Sequence, residues 1–484
     1  MSNLRVHRKQ FLISSSGRFL APEGWSQLDV AGSVKLYHCP ELHIAHALNA
    51  IGQPVILIGN AIEIAGNGAP ELRLSEITHD NWREITDTWG NRWALIIGTS
   101  ITTDASGMLG VFAPSPQYRR ADFAVSSSAR LLSTLYPECD EVVRGVAYAP
   151  ATPMAGIYCL LPGQWLDVVS GEVLQPTRPI FDFIDRSPEQ IRDECCALLI
   201  EFMRQAHRIE QDTLWISLSG GADSRRNLAA ALAAKVNFQP FSFLKKYWQT
   251  SDADRKIPLL LGRVVGIETL IIDAGEYLED SQLVKLYRDH TTFRAELFPG
   301  ELFYYFTGGH WDAIPRYSAI IDGQNYELVG NYYYRRVPKF SAPEEMLDWA
   351  FECPSETRQL SLRYLESASG GSMQDMRDFA FLLANSSVYG QMYQAMDLWC
   401  NTYVPANCRR LYSLAQSISP ELRQDKTFWI SVTNQLQPSF SAVATNPRDG
   451  LLKLVVGSVW RQGLLSTVKL VFKKIYRLLR YCER

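Results

Sequence analysis

The fold of this chain is decided by the stretch Leu214–Leu228, which reads LWISLSGGADSRRNL. An apolar strand is followed by a Ser-Gly-Gly turn, and then by a helix that opens with Asp223 and Ser224 and continues as an alanine-rich run to Ala234. Two adjacent glycines let a ligand approach the main chain closely, and the free N–H groups of a turn and a helix start form an anion site. The pattern predicts a strand, a phosphate-binding loop and a helix in direct succession.

The predicted phosphate site consists of six loop residues: Leu218, Ser219, Gly220, Gly221, Asp223 and Ser224. No Gly-Lys-Ser or Gly-Lys-Thr occurs in the chain, so the loop is not a Walker P-loop. It resembles the Ser-Gly-Gly-x-Asp-Ser signature of the PP-loop ATP pyrophosphatases, which hold the pyrophosphate of ATP while AMP is transferred. The resemblance implies ATP and Mg²⁺ as cofactors, with Asp223 as the metal ligand. The alternative is an ordinary glycine-rich connection in an α/β protein.

Length and composition limit the class of protein. A chain of 484 residues predicts two or three domains, and 46% hydrophobic with 20% charged residues is ordinary for globular proteins. The net charge of −3 gives no sign of a nucleic-acid partner, and none is predicted. Nine cysteines without a C-x-x-C pair are typical of a reducing compartment. With no secretory signal and no apolar run of ~20 residues, a cytoplasmic location is expected.

The N-terminal third has the pattern of a β-rich domain. Short apolar runs separated by turn residues extend from Phe11 to about Ile180, among them Val55–Gly59 and Trp93–Gly98. Phe123–Ser128 predicts a strand that leads into a helix cap, and Gln164–Val173 predicts a hairpin. Together these runs predict an α+β sandwich.

Beside the PP-loop, this region resembles the glutaminase domain of the asparagine synthetase (glutamine-hydrolysing) family. Gly90–Ile97, then Asp104 and Ser126–Ser128, repeat that domain's order of glycine, strand, Asp-turn and strand. Active members carry a cysteine directly after the initiator Met, whereas this chain has Ser2 there and its first cysteine is Cys39. The resemblance implies a degenerate Ntn-type domain, as in the β-lactam and carbapenam synthetases and lasso-peptide cyclases. Ser2 is either a substitute nucleophile or part of an inactive start.

The C-terminal two thirds follow a linker at Pro176–Pro188. Ser187 is the expected N-cap of a helix that runs to about Ile209. Strand patterns at Phe238–Leu244 and Ile267–Ile272 then alternate with helices, including one expected at Lys256–Gly266. This alternation predicts a doubly wound parallel α/β sheet of the PP-loop, HUP-like kind, which binds ligands beyond the carboxyl ends of its strands.

Three further residues belong to the predicted nucleotide site at this edge. The resemblance implies that the end of the second strand, Ser242 and Phe243, lines the adenine and that Asp254 near the next helix contributes an acidic group. Helix capping is the alternative role of Asp252 and Asp254.

The stretch Ala319–Tyr332 resembles the family's second pyrophosphate loop, an apolar strand that ends in glycine and is followed by Asp-Glu, two residues, Gly and Tyr. Gly323 ends the strand, and three positions fall in register: Glu327, Gly330 and Tyr332. The usual Asp is replaced by Tyr326, whose phenol is a poor ligand for Mg²⁺.

This replacement leaves three outcomes open. Glu327 or Asp322 takes over the metal contact, or ATP binds differently, or the site is impaired. Glu327 is the first predicted catalytic residue. The alternative for the whole stretch is an aromatic helix face with basic flanks.

Beyond Pro338 the pattern becomes helical, with helices expected at Pro343–Phe351, Ser355–Ser367, Gln374–Ala384 and Ser387–Cys400. This half resembles the part of asparagine synthetases that covers the acceptor substrate, where a lysine stabilises charge beside the acyl-adenylate. Lys426 is the second predicted catalytic residue, with Arg423 and Arg448 as other candidates. Each is otherwise a surface residue.

The stretch Leu451–Arg484 holds eight Lys or Arg residues against one acid, a net charge of +7. Apolar residues recur at helical spacing, which predicts a basic amphipathic helix. Such a helix lies peripherally on an anionic membrane surface, docks on an acidic partner or packs on its own domain.

The predicted organisation is a degenerate glutaminase-like domain at 1–180, a PP-loop synthetase domain at 187–448 and the basic helix at 449–484. The resemblance implies an ATP-dependent ligase that activates a small-molecule or peptide carboxylate as acyl-AMP and transfers it to ammonia or an amine. The alternative is an ATP-binding or scaffold module without catalysis. The oligomeric state is not predicted.

Overall fold

The computed structural model describes residues 6–15, 21–66, 68–119, 123–139, 149–244, 252–273, 281–292, 313–330, 340–350, 355–369, 376–424 and 427–445. Within these ranges the chain forms three sheets and a set of helices. Ser2, Tyr332, Lys426, Arg448 and the basic stretch from 451 lie outside them.

The N-terminal region holds two six-stranded sheets of antiparallel pairs, ordered β10-β8-β9-β1-β3-β2 and β12-β11-β7-β6-β5-β4. The strands are β1 Phe11–Ser14, β2 Ser26–Ala31, β3 Val34–His38, β4 Ile44–Leu48, β5 Pro54–Glu63, β6 Trp89–Ile97, β7 Ser100–Thr103, β8 Phe112–Pro114, β9 Ala124–Ser126, β10 Ile157–Cys159, β11 Trp165–Asp167 and β12 Val173–Leu174. Two short helices accompany them: α1 Trp82–Ile85 and α2 Ala129–Ser133.

Alternation along the strands explains how these sheets pack. Ile56 and Ile58 of β5 share an apolar cluster with Phe11 and Ile13 of β1, so the two sheets face each other. The intervening Leu57 points to the opposite face, where it packs in a cluster with Trp82 of α1. The predicted hairpin at 164–173 is present as β11 and β12. The assignment of this pair of sheets to the Ntn type stays a prediction.

The C-terminal region contains the predicted parallel sheet, with the order β15-β14-β13-β16-β17. Its strands are β13 Leu214–Ser217, β14 Phe238–Leu244, β15 Leu270–Asp273, β16 Ala319–Ile321 and β17 Asn401–Tyr403. The chain adds β14 and β15 on one side of β13, and β16 and β17 on the other. The crevice beyond β13 and β16 is therefore the switch point at which such sheets bind ligands.

The described helices of this region are α3 Pro188–Glu210, α4 Ala222–Ala234, α5 Asp252–Val265, α6 Ser281–His290, α7 Tyr326–Val329, α8 Pro343–Ala350, α9 Ser355–Ala368, α10 Met376–Met396, α11 Arg409–Gln416, α12 Pro420–Gln424 and α13 Thr427–Leu436. As predicted, Ser187 caps α3, in a capping box with Gln190. Leu214 packs in a cluster with α3 and α4, whereas Phe241 packs in a cluster with α10. Helices therefore cover both faces of the sheet. None of the helices described is long and apolar enough to cross a membrane.

Two local predictions were wrong, and one strand was missed. The helices expected at 374–384 and 387–400 form the single helix α10. The two residues between them, Asn385 and Ser386, are polar but are neither glycine nor proline, so they do not break the helix. The three-residue strand β17 was not predicted. Helix α5 begins at Asp252 rather than Lys256 and passes through Pro258, because Ala253, Ile257 and Leu261 form one buried face across the proline.

Candidate functional site

The first loop, residues 218–224, connects β13 to α4 at the carboxyl edge of the parallel sheet. Leu218 is buried, and its backbone N–H donates to the carbonyl oxygen of Phe241 at 2.7 Å. Helix α4 begins at Ala222, and its N-cap is Gly221 in an extended conformation. Because glycine has no side chain to satisfy the first N–H groups of the helix, these donors are left for a ligand.

Two serine hydroxyls brace this loop from inside. The backbone N–H of Ser219 donates to Oγ of Ser224 at 3.0 Å, and the two Oγ atoms lie 3.1 Å apart. The N–H of Gly221 donates to Oγ of Ser219 at 3.2 Å. The loop is thus closed on the start of α4, and the residues predicted from the signature form one compact unit.

Asp254 lies against the same loop. Its Oδ1 accepts a hydrogen bond from the N–H of Gly220 at 2.7 Å, and its carbonyl oxygen accepts one from Oγ of Ser242 at 2.9 Å. A Cβ at Gly220 would meet Cβ of Ala253 at 3.1 Å, so glycine allows α5 to pack this closely. Asp254 therefore lies in the first turn of α5, and its side chain is hydrogen-bonded to the loop. Phe243 lies beside Phe241, at 5.2 Å between ring centroids, and its role at an adenine stays a prediction.

The second loop, residues 322–330, follows β16 and touches the first. A Cβ at Gly323 would lie 3.2 Å from the backbone N of Ser224. Glycine at this position therefore permits the two loops to meet at the switch point. The N–H of Asp322 donates to the carbonyl oxygen of Tyr403 at 2.9 Å, which anchors the start of the second loop on β17.

Tyr326 fills the position where the resemblance expects an aspartate. The residue is buried, and its hydroxyl donates to Oδ1 of Asn227 at 2.8 Å. The guanidinium of Arg226 lies 4.3 Å from the centroid of its ring and 4.8 Å from that of Trp429. Burial raises the pKa of Tyr326, so the phenol remains neutral and offers no charge to a metal. A cation between two aromatic rings occupies this part of the site.

Glu327 combines an unsatisfied oxygen with a perturbed pKa. The residue is partly exposed, but its Oε2 atom is buried and has no hydrogen-bond partner. Burial, and then repulsion from Asp223 and Asp322, raise the pKa of Glu327 to about 8. A carboxyl group with this pKa exchanges a proton near neutral pH, as a general acid or base requires.

Asp223 was the predicted metal ligand. Its side chain is 42% exposed at the start of α4, and Oδ1 lies 3.5 Å from Nη1 of Arg226. Among the residues described, no group of three or more His, Cys, Asp or Glu residues is placed to share a metal ion. Mg²⁺ at nucleotides often takes one or two carboxylates and completes its shell with phosphate oxygens and water. Asp223 fits the role of one such ligand.

A buried polar network ties the second loop to the N-terminal sheets. Asn325 has a left-handed backbone (φ 68°), and its Nδ2 donates to Oγ of Ser106 at 2.8 Å and to the hydroxyl of Tyr412 at 3.0 Å. Ser106 donates onward to Oδ1 of Asn407 at 2.7 Å, and Asn407 donates to Asp104 at 2.9 Å. The turn that carries Asp104 thus holds the residue before Tyr326 and Glu327.

Arg423 was one candidate for the cation beside an acyl-adenylate, and that role stays a prediction. Arg423 is buried, and its Nη1 contacts Oδ2 of Asp378 on α10 at 2.9 Å. This contact makes it part of an ion pair within the helical half, with side chains 2% and 3% exposed. The interpretation of Arg423 as a surface residue was wrong.

Cys39, the first cysteine of the chain, is also buried, and burial raises the pKa of its thiol.

Four residues of the site were missed from the sequence: Arg226, Asn227, Asn325 and Trp429. Arg226 follows Asp223 by three residues, a helical spacing at which opposite charges pair, so this contact had a signal. Asn325 is a residue type that tolerates left-handed backbone angles. Asn227 and Trp429 reach the site only through tertiary packing, which no local pattern encodes.

No family model matches the chain, and no curated protein matches it. Among solved structures, the NMN synthetase from Francisella tularensis aligns with 53% of this chain and 96% of its own, at 12% sequence identity and a TM-score of 0.20.

Proposed function

We propose that the protein is an ATP-dependent ligase of the asparagine synthase type, which joins a carboxylate to ammonia or an amine. The observation that carries the proposal is the loop 218–224, closed by its serines and left open at the start of α4. It lies at the switch point of a parallel sheet, where phosphate groups bind to backbone N–H donors. The two loops in contact at Gly323 support a substrate bound across both.

The proposed reaction has two steps. A carboxylate oxygen of the substrate attacks the α-phosphorus of ATP, and the bond to pyrophosphate breaks. The amine nitrogen then attacks the acyl carbon, AMP leaves, and the amine gives up a proton. The deprotonated fraction of Glu327, which a pKa of about 8 leaves available near neutral pH, is the proposed acceptor of that proton. Bound Mg²⁺ would neutralise phosphate charge, with Asp223 as its protein ligand. Lys426 and Phe243 remain proposed contributors to the adenylate and adenine sites.

Binding is tested first, by the thermal stability of the full chain with and without ATP and Mg²⁺. A ligand that binds only the native state at 100 times its Kd adds about 2.7 kcal/mol of stability. Asp223→Asn is expected to lose most of this gain. Asp193→Asn on α3 is the matched control, since it makes the same charge change on an exposed side chain. An Asp223→Asn protein indistinguishable from wild type would contradict the assignment.

Turnover is tested by pyrophosphate release with a panel of small-molecule and peptide carboxylates, each offered with ammonia or a primary amine. Glu327→Gln is expected to keep ATP binding and to slow amide formation, because glutamine cannot accept the amine proton. ATP binding without release of pyrophosphate would favour the second candidate, an ATP-binding module without catalysis. The Arg226 contact at Asp223 and the neutral Tyr326 favour this candidate.

A further inference from the structure

A cavity of about 380 Å³ lies in the N-terminal region beside α1. Its walls come from α1, β11, the segment 174–178 that leads towards α3, and Arg409 of α11. No residue of the two loops at the parallel sheet lines it. The volume falls within the range of small-molecule binding sites.

Three arginines line this cavity: Arg83, Arg178 and Arg409. No Asp or Glu is among its lining residues. Arg178 is exposed, whereas Arg83 and Arg409 are 7% and 5% exposed. Removing a guanidinium from water costs free energy unless a partner compensates for the lost hydration.

The compensation inside the protein is incomplete. Arg83 pairs with Asp182 at 3.2 Å, but that carboxylate is 51% exposed, and the buried Nε of Arg83 has no partner. Arg409 donates to two neutral oxygens, the carbonyl of Arg83 at 3.2 Å and Oγ1 of Thr86 at 3.3 Å. The carboxylate of Asp87 also attracts the Arg409 guanidinium electrostatically. It is shared with Arg410, whose Nη1 lies 3.9 Å from Oδ2 of Asp87. Positive charge therefore exceeds what the neighbouring carboxylates neutralise.

The pKa values of the buried arginines agree with this geometry. Burial, followed by repulsion from Arg409, lowers the pKa of Arg83 to about 10. Burial also lowers the pKa of Arg409. An anion between the two groups would relieve the repulsion and replace lost hydration.

Aromatic rings form another part of the wall. Trp82 and Trp165 meet edge to face at 5.1 Å between centroids, and His79 lies 4.9 Å from Trp165. Burial lowers the pKa of His79, which favours the neutral form of this ring. The guanidinium of Arg409 lies 4.8 Å from the Trp82 ring. A flat apolar body would find aromatic faces next to the cationic groups.

We propose that this cavity binds a small organic anion, with a carboxylate or phosphate group on an aromatic or similarly flat body. The charged group would contact Arg83, Arg178 and Arg409, and the flat body would lie against Trp82 and Trp165. This site is separate from the proposed nucleotide site and does not depend on the proposed function.

The test is isothermal titration calorimetry of the full chain with benzoate and with phenyl phosphate. Saturable binding of one equivalent is expected for at least one of them, and the tighter of the two identifies the charged group. Arg178→Gln is expected to weaken that binding at least tenfold. Because Arg178 is exposed, this variant should fold like wild type, as circular dichroism would verify. Arg204→Gln, an exposed arginine on α3, is the matched control and should bind normally.

Three further titrations decide the remaining points. Benzyl alcohol, which is neutral, and inorganic phosphate, which lacks a ring, are both expected to bind at least tenfold more weakly. Saturating ATP is expected to leave binding unchanged. The proposal is overturned if neither aromatic anion binds, if Arg178→Gln binds normally, if either reference compound binds as tightly, or if ATP displaces the anion.

Discussion

Two loops meet at the carboxyl edge of the parallel sheet, and different chemical groups hold each of them in place. The first, residues 218–224, consists of backbone N–H groups, two glycines and two small hydroxyls. The second, residues 322–330, is filled by large side chains, with Arg226 held between Tyr326 and Trp429. The difference teaches that two neighbouring loops at one sheet edge can be ordered in different ways, the first by hydrogen bonds to small hydroxyls and the second by a cation packed between aromatic rings.

The largest expected effect comes from removing the cation that links the loops. Arg226 belongs to α4, the helix of the first loop, and its head group lies in the second. Arg226→Met should lower the free energy of unfolding by about 4 kcal/mol, because the buried guanidinium contacts two aromatic rings and each desolvated cation–π contact contributes roughly 2 kcal/mol. Urea denaturation measures this change. A second loop that needed no cation would instead show little loss.

The matched control for this change is Arg204→Met on α3. That guanidinium is 52% exposed and pairs with Glu201 at 3.5 Å, so its removal should cost about 0.5 kcal/mol or less. A loss below about 1 kcal/mol in Arg226→Met would remove the distinction between a packed second loop and an open first loop.

The next effect is a pH dependence that arises from Glu327 in the second loop. The pKa of Glu327 is about 8 in the folded protein, above the usual 4.5. Between these values the unfolded chain releases the proton that the folded chain retains, so the free energy of unfolding falls as pH rises from 4.5 to 8. The shift corresponds to at most about 5 kcal/mol, and partial exposure reduces the expected change to about 3 kcal/mol.

Glu327→Gln should lack this component. Denaturation of the variant and of wild type at several pH values isolates it, because the stability difference between them should grow in favour of the variant up to pH 8. Glu172→Gln, at an exposed position near β12, is the control and should follow wild type. Parallel curves for Glu327→Gln and wild type would refute a raised pKa at this position.

The same contrast explains what the sequence could predict. The first loop could be predicted because its strand, its glycines and the start of its helix are consecutive in the sequence. All the predicted residues from 218 to 224 lie in this loop. The parallel sheet was predictable because apolar strands alternate with helices. The packing around Tyr326 in the second loop could not be predicted, because Arg226 and Trp429 are distant from this loop in the sequence. Arg423 lacked any local sign of its ion pair with Asp378.

A smaller effect tests how the N-terminal sheets hold the second loop. Asn325→Ala removes the amide that reaches Ser106 and Tyr412, and it places alanine at a φ of 68°. Lost hydrogen bonds and the left-handed backbone together should cost about 2 kcal/mol.

Asn325→Gly separates these two contributions, because glycine adopts a left-handed backbone without strain. The glycine variant should recover about 1 kcal/mol of the loss in thermal denaturation. Gln211→Ala, at an exposed left-handed position after α3, reports the backbone cost without buried hydrogen bonds. If Asn325→Ala cost no more than Gln211→Ala, the buried network would not stabilise the second loop.

The smallest effect distinguishes the ring of Tyr326 from its hydroxyl. Tyr326→Phe keeps the aromatic face beneath Arg226 and removes only the donor to Asn227. It should cost about 1 kcal/mol in urea denaturation, the typical net value of one hydrogen bond. Tyr326→Leu removes the face as well and should cost at least another ~1 kcal/mol, because the guanidinium then loses a cation–π partner. Equal losses in the two variants would mean that the hydroxyl alone matters, and that the second loop is closed by hydrogen bonding like the first.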